Sequence, residues 1–183
     1  MQSRIVTGLL AAVGLVVTAG CSAAVSTPAK APAQTEVTGP DALAVGRYIV
    51  IVGGCNDCHT PGYAQSGGKA PPESEWLKGN PVGYRGPWGT TYASNLRLTV
   101  ASMSKDEFIA MLDTRETLPP MPWQNVRHLS RANKAAVYDY IKSLGAPGDP
   151  TPANVPPGQE PTTPYENMIP VGPGGTPLGP PPA

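Results

Sequence analysis

The chain has 183 residues, and its 24 prolines and 21 glycines together make up about a quarter of the sequence. Its 13 lysine and arginine residues balance its 13 aspartate and glutamate residues, and this neutral balance argues against a nucleic-acid surface, which needs a basic stripe. The length suits one domain with flanking tails.

The N-terminal segment has the pattern of an export signal. Arg4 precedes an uncharged, mostly apolar run over residues 5–20, which is short for a membrane span of roughly 20 apolar residues. Small residues then lead into Cys21, and this pattern resembles a bacterial lipobox, in which the cysteine is lipidated and becomes the mature N-terminus. We predict a lipoprotein signal peptide over residues 1–20, with a plain signal peptide or an uncleaved anchor as alternatives. All three place the remaining chain outside the cytoplasm, and Ser22 after the cysteine favours the outer membrane by the same resemblance.

A flexible tether and a first helix follow the signal. Residues 21–40 are rich in proline and small side chains, which is typical of a flexible linker. Asp41 is placed to N-cap an apolar helix that we expect to end at the glycine pair 53–54. Residues 60–103 contain many turn formers, so we expect a long loop there, which is tolerable only if it wraps a bulky group.

Two further helices close the predicted domain. Ser104 opens a capping box before a short helix, and Ser130 caps the longest amphipathic pattern in the chain, which we expect to end at Gly145. One domain is therefore predicted over residues 41–146. A proline-rich tail over residues 147–183, partly docked or disordered, completes the chain.

Cys55, Cys58 and His59 form the motif that carries the most chemical information. A structural zinc site needs four ligands, and the motif with His128 supplies the only four outside the signal region, but the adjacent Cys58 and His59 cannot comfortably bind one metal together. A thioredoxin-like redox pair needs a βαβ pattern, which is not seen, and a plain disulfide leaves the histidine unexplained. Covalent attachment of one haem c explains all three residues, because each thiol adds to a haem vinyl group and the histidine takes one axial position on the iron.

The second axial ligand is predicted to be Met121. It lies in the sequence PPMPW between two helices, where prolines restrict the backbone and leave the thioether little entropy to lose. Met111 lies on the apolar face of its predicted helix and is expected to fill the hydrophobic core. The alternatives are an open iron site or one of four other side chains: Met103, Met111, Met168 and His128.

The sequences CNDCHTP, RGPWGTTYASNL, LPPMPW and VYDYIKSLG together resemble class I c-type cytochromes. More narrowly, they are similar to small single-haem bacterial cytochromes c and to cytochrome c domains of membrane-associated dehydrogenases, over about residues 41–145. The resemblance implies an all-α cytochrome c fold with a long haem-wrapping loop, in which the first helix crosses the last. It also implies that a proline carbonyl after the motif, such as that of Pro61, orients His59, and that residues near 151–168 dock on the domain. Four side chains are candidates to hydrogen-bond the haem propionates, with packing and turn formation as the alternative: Trp88, Tyr92, Asn95 and Arg97.

These observations predict an electron-transfer protein that is not an enzyme. His59 and Met121 would fill both axial sites, so the iron could only cycle between two oxidation states. The alternatives are a haem-bearing relay subunit of a membrane-associated dehydrogenase and a gas or peroxide sensor with a labile Met121. The expected partners are redox proteins, a dehydrogenase or oxidase, and the membrane through a lipid anchor in the periplasm. Four residues after the methionine loop could form a docking patch or an ordinary solvated helix start: Arg127, His128, Arg131 and Lys134.

Overall fold

The computed structural model describes residues 35–145, 148–176 and 178, which belong to one of the chain's two compact units, Ala33–Ala183. The predicted signal peptide over residues 1–20, the predicted lipidation site Cys21 and most of the predicted tether lie outside the described residues. No helix in the described ranges is long and apolar enough to cross a membrane.

The described residues form six α-helices, a 3₁₀ turn at Glu73–Glu75 and three short β-strands. The helices are α1 (Ala42–Val52), α2 (Cys55–His59), α3 (Leu96–Ala101), α4 (Lys105–Thr114), α5 (Trp123–Arg127) and α6 (Arg131–Ser143). The strands are β1 (Gly83–Gly86), β2 (Gly89–Thr91) and β3 (Tyr165–Asn167).

The predicted helix caps are confirmed. The side chain of Asp41 accepts a hydrogen bond from the backbone at the start of α1, and α1 ends at Gly53. Ser104 and Glu107 form a complete capping box at α4, and Ser130 caps α6. Each of these caps satisfies N–H groups that a helix start leaves without intrahelical partners, so these boundaries follow from local chemistry.

Helices α1 and α6 meet at a point where only a glycine fits. A Cβ atom built on Gly46 would lie 2.1 Å from the backbone oxygen of Ala136 and 2.7 Å from Cβ of Tyr140. This close approach places the apolar face of α1 against that of α6, and both helices contribute to the buried core. The core residues of these two helices are Val45, Ile49, Val50, Ala136, Val137, Tyr138, Tyr140 and Ile141.

The predicted all-α cytochrome c fold is wrong, because the described residues form a mixed α/β structure. The strands make a three-stranded sheet of order β2-β1-β3, with β1 antiparallel to β2 and parallel to β3. The first two strands are a hairpin within residues 60–103, which were predicted to be a loop, and α3 lies in the same segment. Strands of three or four glycine-rich residues carry too little alternation to be distinguished from turns.

The third strand comes from the proline-rich tail. Residue Val155 exchanges two backbone hydrogen bonds of 2.8 Å with Thr90, and β3 then pairs with β1. An ion pair between Arg85 and Glu160 and a 2.6 Å hydrogen bond between the hydroxyls of Tyr92 and Thr163 add side-chain contacts. Residues 154–168 are thus bound along the hairpin and the residue that follows it.

Ordered contacts also begin before the first helix, within the segment predicted to be a tether. The amide of Asn133, which is 1% exposed, bonds to both backbone groups of Val37, at 2.9 Å to the N–H and 2.8 Å to the carbonyl. A buried asparagine satisfied in this way attaches the chain to α6 five residues before α1 begins.

Replacing Gly46 by alanine tests the contact between α1 and α6. Alanine should stabilise an isolated helix by about 1 kcal/mol relative to glycine, but the overlap with α6 should reverse that sign. We expect Gly46→Ala to lower the free energy of unfolding by roughly 1–3 kcal/mol in a denaturant titration. The exposed Tyr48 on the same helix offers a control, since Tyr48→Ala should change little. A Gly46→Ala protein more stable than the wild type would contradict this packing.

Candidate functional site

The two cysteines of the motif lie on the first turn of a five-residue helix. Gly54, with a φ of 67°, begins α2 in the left-handed region that favours glycine. Cys55 and Cys58 are then three positions apart, with two residues between them, so they share one face of the helix. Both are free thiols, and burial raises the pKa of Cys55 to about 11. The Cys55 thiol is therefore protonated at neutral pH.

His59 ends this helix with its ring held in a defined state. The side chain is 7% exposed, and Nδ1 lies 2.6 Å from the backbone oxygen of Ser94. Since a carbonyl oxygen can only accept, Nδ1 carries the proton and donates it, which leaves the lone pair on Nε2. Burial lowers the pKa of His59 below its usual range, with the Arg115 guanidinium acting in the same direction. The ring is therefore a neutral imidazole with Nε2 available as a ligand.

The acceptor for His59 differs from the one that the resemblance implied. We expected the carbonyl of Pro61, two residues along the chain, but the acceptor is Ser94, 35 residues away. Ser94 accepts through its backbone oxygen, which every residue has. Its residue type therefore gives no sequence signal for this contact.

Hydrogen bonds join the cysteine motif to the loop that follows it. The Thr60 hydroxyl donates to Oδ1 of Asn56 and accepts from the Leu77 N–H, both at 2.8 Å. The Gly79 N–H donates to the carbonyl of His59 at 2.9 Å. Asn56 and Thr60 are completely buried, so these bonds form where water cannot replace them.

Met121 lies half-buried in the loop between α4 and α5. It borders an open cavity of about 480 Å³ whose walls come from residues 117 and 119–124. Residues 117–122, here called the methionine loop, are attached to strand β2, because the Thr91 hydroxyl donates to the carbonyl of Pro119 at 2.7 Å.

The other candidate axial ligands have different surroundings. Met103 and Met111 contact the hydrophobic core, and the prediction that Met111 fills the core is confirmed. Met168 follows β3 and is 39% exposed. His128 is exposed and forms the C-cap of α5.

The hairpin and the residues after it touch both halves of the candidate site. Ser94 accepts from His59 and Thr91 donates to the methionine loop, and these two residues are at most about 11 Å apart along an extended backbone. Tyr84, the cross-strand partner of Thr91, is buried, and contact with Cys58 helps to raise the pKa of its phenol. In the described ranges no hydrogen bond joins α2 directly to residues 117–122, so the hairpin forms the link.

The four candidate propionate donors separate into two groups. Tyr92 bonds to Thr163, Asn95 caps α3, and Arg97 donates to the backbone carbonyls of residues 74, 76 and 144. These three side chains therefore serve the fold. Trp88 differs, because its Nε1 is buried without a hydrogen-bond partner among the described residues, and a buried N–H of this kind is a candidate donor to a bound group.

The predicted docking patch does not exist as one exposed group of charges. Lys134 is 2% exposed, where its ammonium group contacts Asp113 and donates to the carbonyl of Arg127 at 2.8 Å. Arg127 lies over the ring of Trp123 at 4.5 Å. Buried in this way, Lys134 stabilises the turn between α5 and α6 and is not available to a partner.

Comparisons of the chain with protein-family models, with curated proteins and with solved structures gave no match. Within the described residues, no three or more His, Cys, Asp and Glu side chains are grouped to hold a metal ion. The site combines two free thiols, one neutral imidazole and one thioether. Thiolate and thioether sulfur are soft ligands, and imidazole suits zinc, copper, iron and nickel.

Proposed function

We propose that this protein is an extracytoplasmic electron carrier that holds one haem c through Cys55 and Cys58, with His59 and Met121 as axial ligands. The observation that carries the proposal is the state of His59. Its Nδ1–H is committed to Ser94 at 2.6 Å, so the Nε2 lone pair is free directly after two thiols that share a helix face. The ligand set is that of the class I c-type cytochromes that the sequence resembles, although the fold class is mixed α/β.

The two thiols fit covalent attachment. Both are unpaired, and residues three apart on a helix have Cβ atoms about 5–6 Å from each other. Each S–H can add across a vinyl double bond, with sulfur bonding to one carbon and hydrogen to the other. This addition is balanced without an oxidant or a reductant.

The surroundings also fit a haem with carboxylate side chains. Met121 borders the open cavity formed by residues 117 and 119–124 and does not belong to the hydrophobic core, so the core packing does not require its thioether. The buried Nε1–H of Trp88, which has no partner among the described residues, can donate to a propionate.

Bound haem supplies a one-electron iron couple, and the chain's residues define how that couple is used. His59 and Met121 would both bind the iron, which would leave no open position for a substrate, and a thioether ligand raises the potential. The burial of the imidazole excludes water from that side. The protein therefore relays electrons between redox proteins such as a dehydrogenase or oxidase, and is not itself an enzyme.

The proposed location depends on the N-terminal sequence alone. Lipidation at Cys21 would tether the domain to a periplasmic membrane surface, with the outer membrane favoured by Ser22. Haem c attachment takes place outside the cytoplasm, so an export signal and a haem motif in one chain are mutually consistent.

Removal of both motif cysteines tests covalent attachment. The wild-type full chain, expressed with an export and haem-attachment system, should give a haem-stained band on a denaturing gel, and Cys55→Ser with Cys58→Ser should abolish that stain. Cys21→Ser is the matched control, because it removes the third cysteine without touching the motif and should keep the stain. A wild-type band without stain, or a stained double variant, would overturn the proposal of covalent haem c.

Replacement of Met121 tests the axial ligand. Met121→Ala should abolish the weak far-red absorption of the oxidised protein, lower the midpoint potential, and allow the reduced protein to bind carbon monoxide at neutral pH. Met111→Ala and Met168→Ala are controls that should retain the far-red band. If the band persists in Met121→Ala, another side chain binds the iron.

A further inference from the structure

We propose that Thr91 is a positioning residue that holds the methionine loop so that Met121 stays bound to iron. One short segment, residues 91–94, would then fix both axial ligands, Thr91 through the methionine loop and Ser94 through His59. The inference rests on the proposed function, since it requires Met121 to be a ligand.

The hydrogen bond from Thr91 to the loop is short and starts from a buried side chain. Thr91 is 8% exposed, and the 2.7 Å between its Oγ1 and the carbonyl oxygen of Pro119 is the usual length of an O–H···O bond. The carbonyl of Tyr84, at 3.5 Å, is too distant to compete. The hydroxyl proton is therefore committed to the loop, two residues before Met121.

Few other hydrogen bonds join the methionine loop to the rest of the protein. Three of its residues are prolines, which have no N–H to donate. At the end of the loop, the N–H groups of Trp123 and Asn125 in α5 donate to the carbonyls of Met121 and Pro122, both at 2.9 Å, so this end is bonded to the helix that follows it. Within the described ranges, no other hydrogen bond joins residues 117–122 to the sheet or to α2, so the Thr91 hydroxyl supplies their polar anchor to the sheet.

The neighbouring threonine provides an internal comparison. Thr90 is 1% exposed, and its hydroxyl is buried without a partner among the described residues. Successive side chains of a strand point to opposite faces, so Thr90 and Thr91 differ in direction. Both side chains are buried, and of the two only the Thr91 hydroxyl bonds to the methionine loop.

Loss of the Thr91 hydroxyl should loosen one axial ligand and spare the other. The carbonyl of Pro119 would lose its partner in the sheet, and the loop would hold Met121 less firmly. The position of His59 depends on its bond to Ser94, and the thioether links depend on the cysteines of α2. Haem attachment should therefore not change. The effect is therefore expected in the properties that depend on methionine binding to iron, which are the far-red band, the midpoint potential and carbon monoxide binding.

The experiment compares Thr91→Val, Thr91→Ser and Thr90→Val in the full-length holoprotein. Thr91→Val should weaken the far-red band, lower the midpoint potential and tighten carbon monoxide binding to the reduced protein by about tenfold, a typical effect for one buried hydrogen bond. Thr91→Ser keeps the hydroxyl and should restore all three properties. Thr90→Val should match the wild type, because it removes a hydroxyl that has no partner.

The outcomes separate this inference from the proposed function. If Met121→Ala loses the band while Thr91→Val behaves like Thr90→Val, Met121 is a ligand and the role of Thr91 is wrong. Equal losses in all three threonine variants would indicate a general weakening of β2 and would also overturn it. A band that survives in Met121→Ala removes the proposed ligand set, and the Thr91 inference fails with it.

Discussion

The hydrogen bond from Nδ1 of His59 to the carbonyl of Ser94, 2.6 Å long, is the constraint on which the candidate site depends. It sets the tautomer, places the lone pair on Nε2 and orients the ring. It also ties α2 to the segment that follows β2, because the donor and acceptor come from different elements. Without this bond, a buried imidazole would be free to present either nitrogen, and the two thiols beside it would not define a site.

The hairpin connects the parts of the site that the helices leave apart. Strand β2 reaches the methionine loop through Thr91, and β1 brings Tyr84 to Cys58. The tail in turn holds the hairpin, since Val155 bonds to Thr90 and β3 pairs with β1. The sheet that overturned the all-α prediction thus contacts the methionine loop through Thr91, and the segment after it contacts His59 through Ser94.

Features that depend on neighbouring residues were predictable from the sequence. The caps at Asp41, Ser104 and Ser130 are local, and so is the Cys-X-X-Cys-His spacing. Features that depend on distant backbone atoms were not. Ser94 acts through its carbonyl, which every residue possesses. Strand β3 pairs with a strand about 80 residues earlier in the chain. No periodic pattern of apolar residues predicts such a pairing. The burial of Lys134 likewise depends on contacts with α4 and α5 that its own helix pattern does not reveal.

A redox titration of the purified full-length protein, followed by its optical spectrum, tests the central claim most directly. A single covalent haem with His59 and Met121 as ligands predicts one reversible one-electron transition. The oxidised form should show the far-red methionine band, and the reduced form should show the sharp visible bands of a low-spin c-type haem. A protein without a haem chromophore, or a reduced spectrum of a high-spin iron with an open axial position, would contradict the proposed electron carrier.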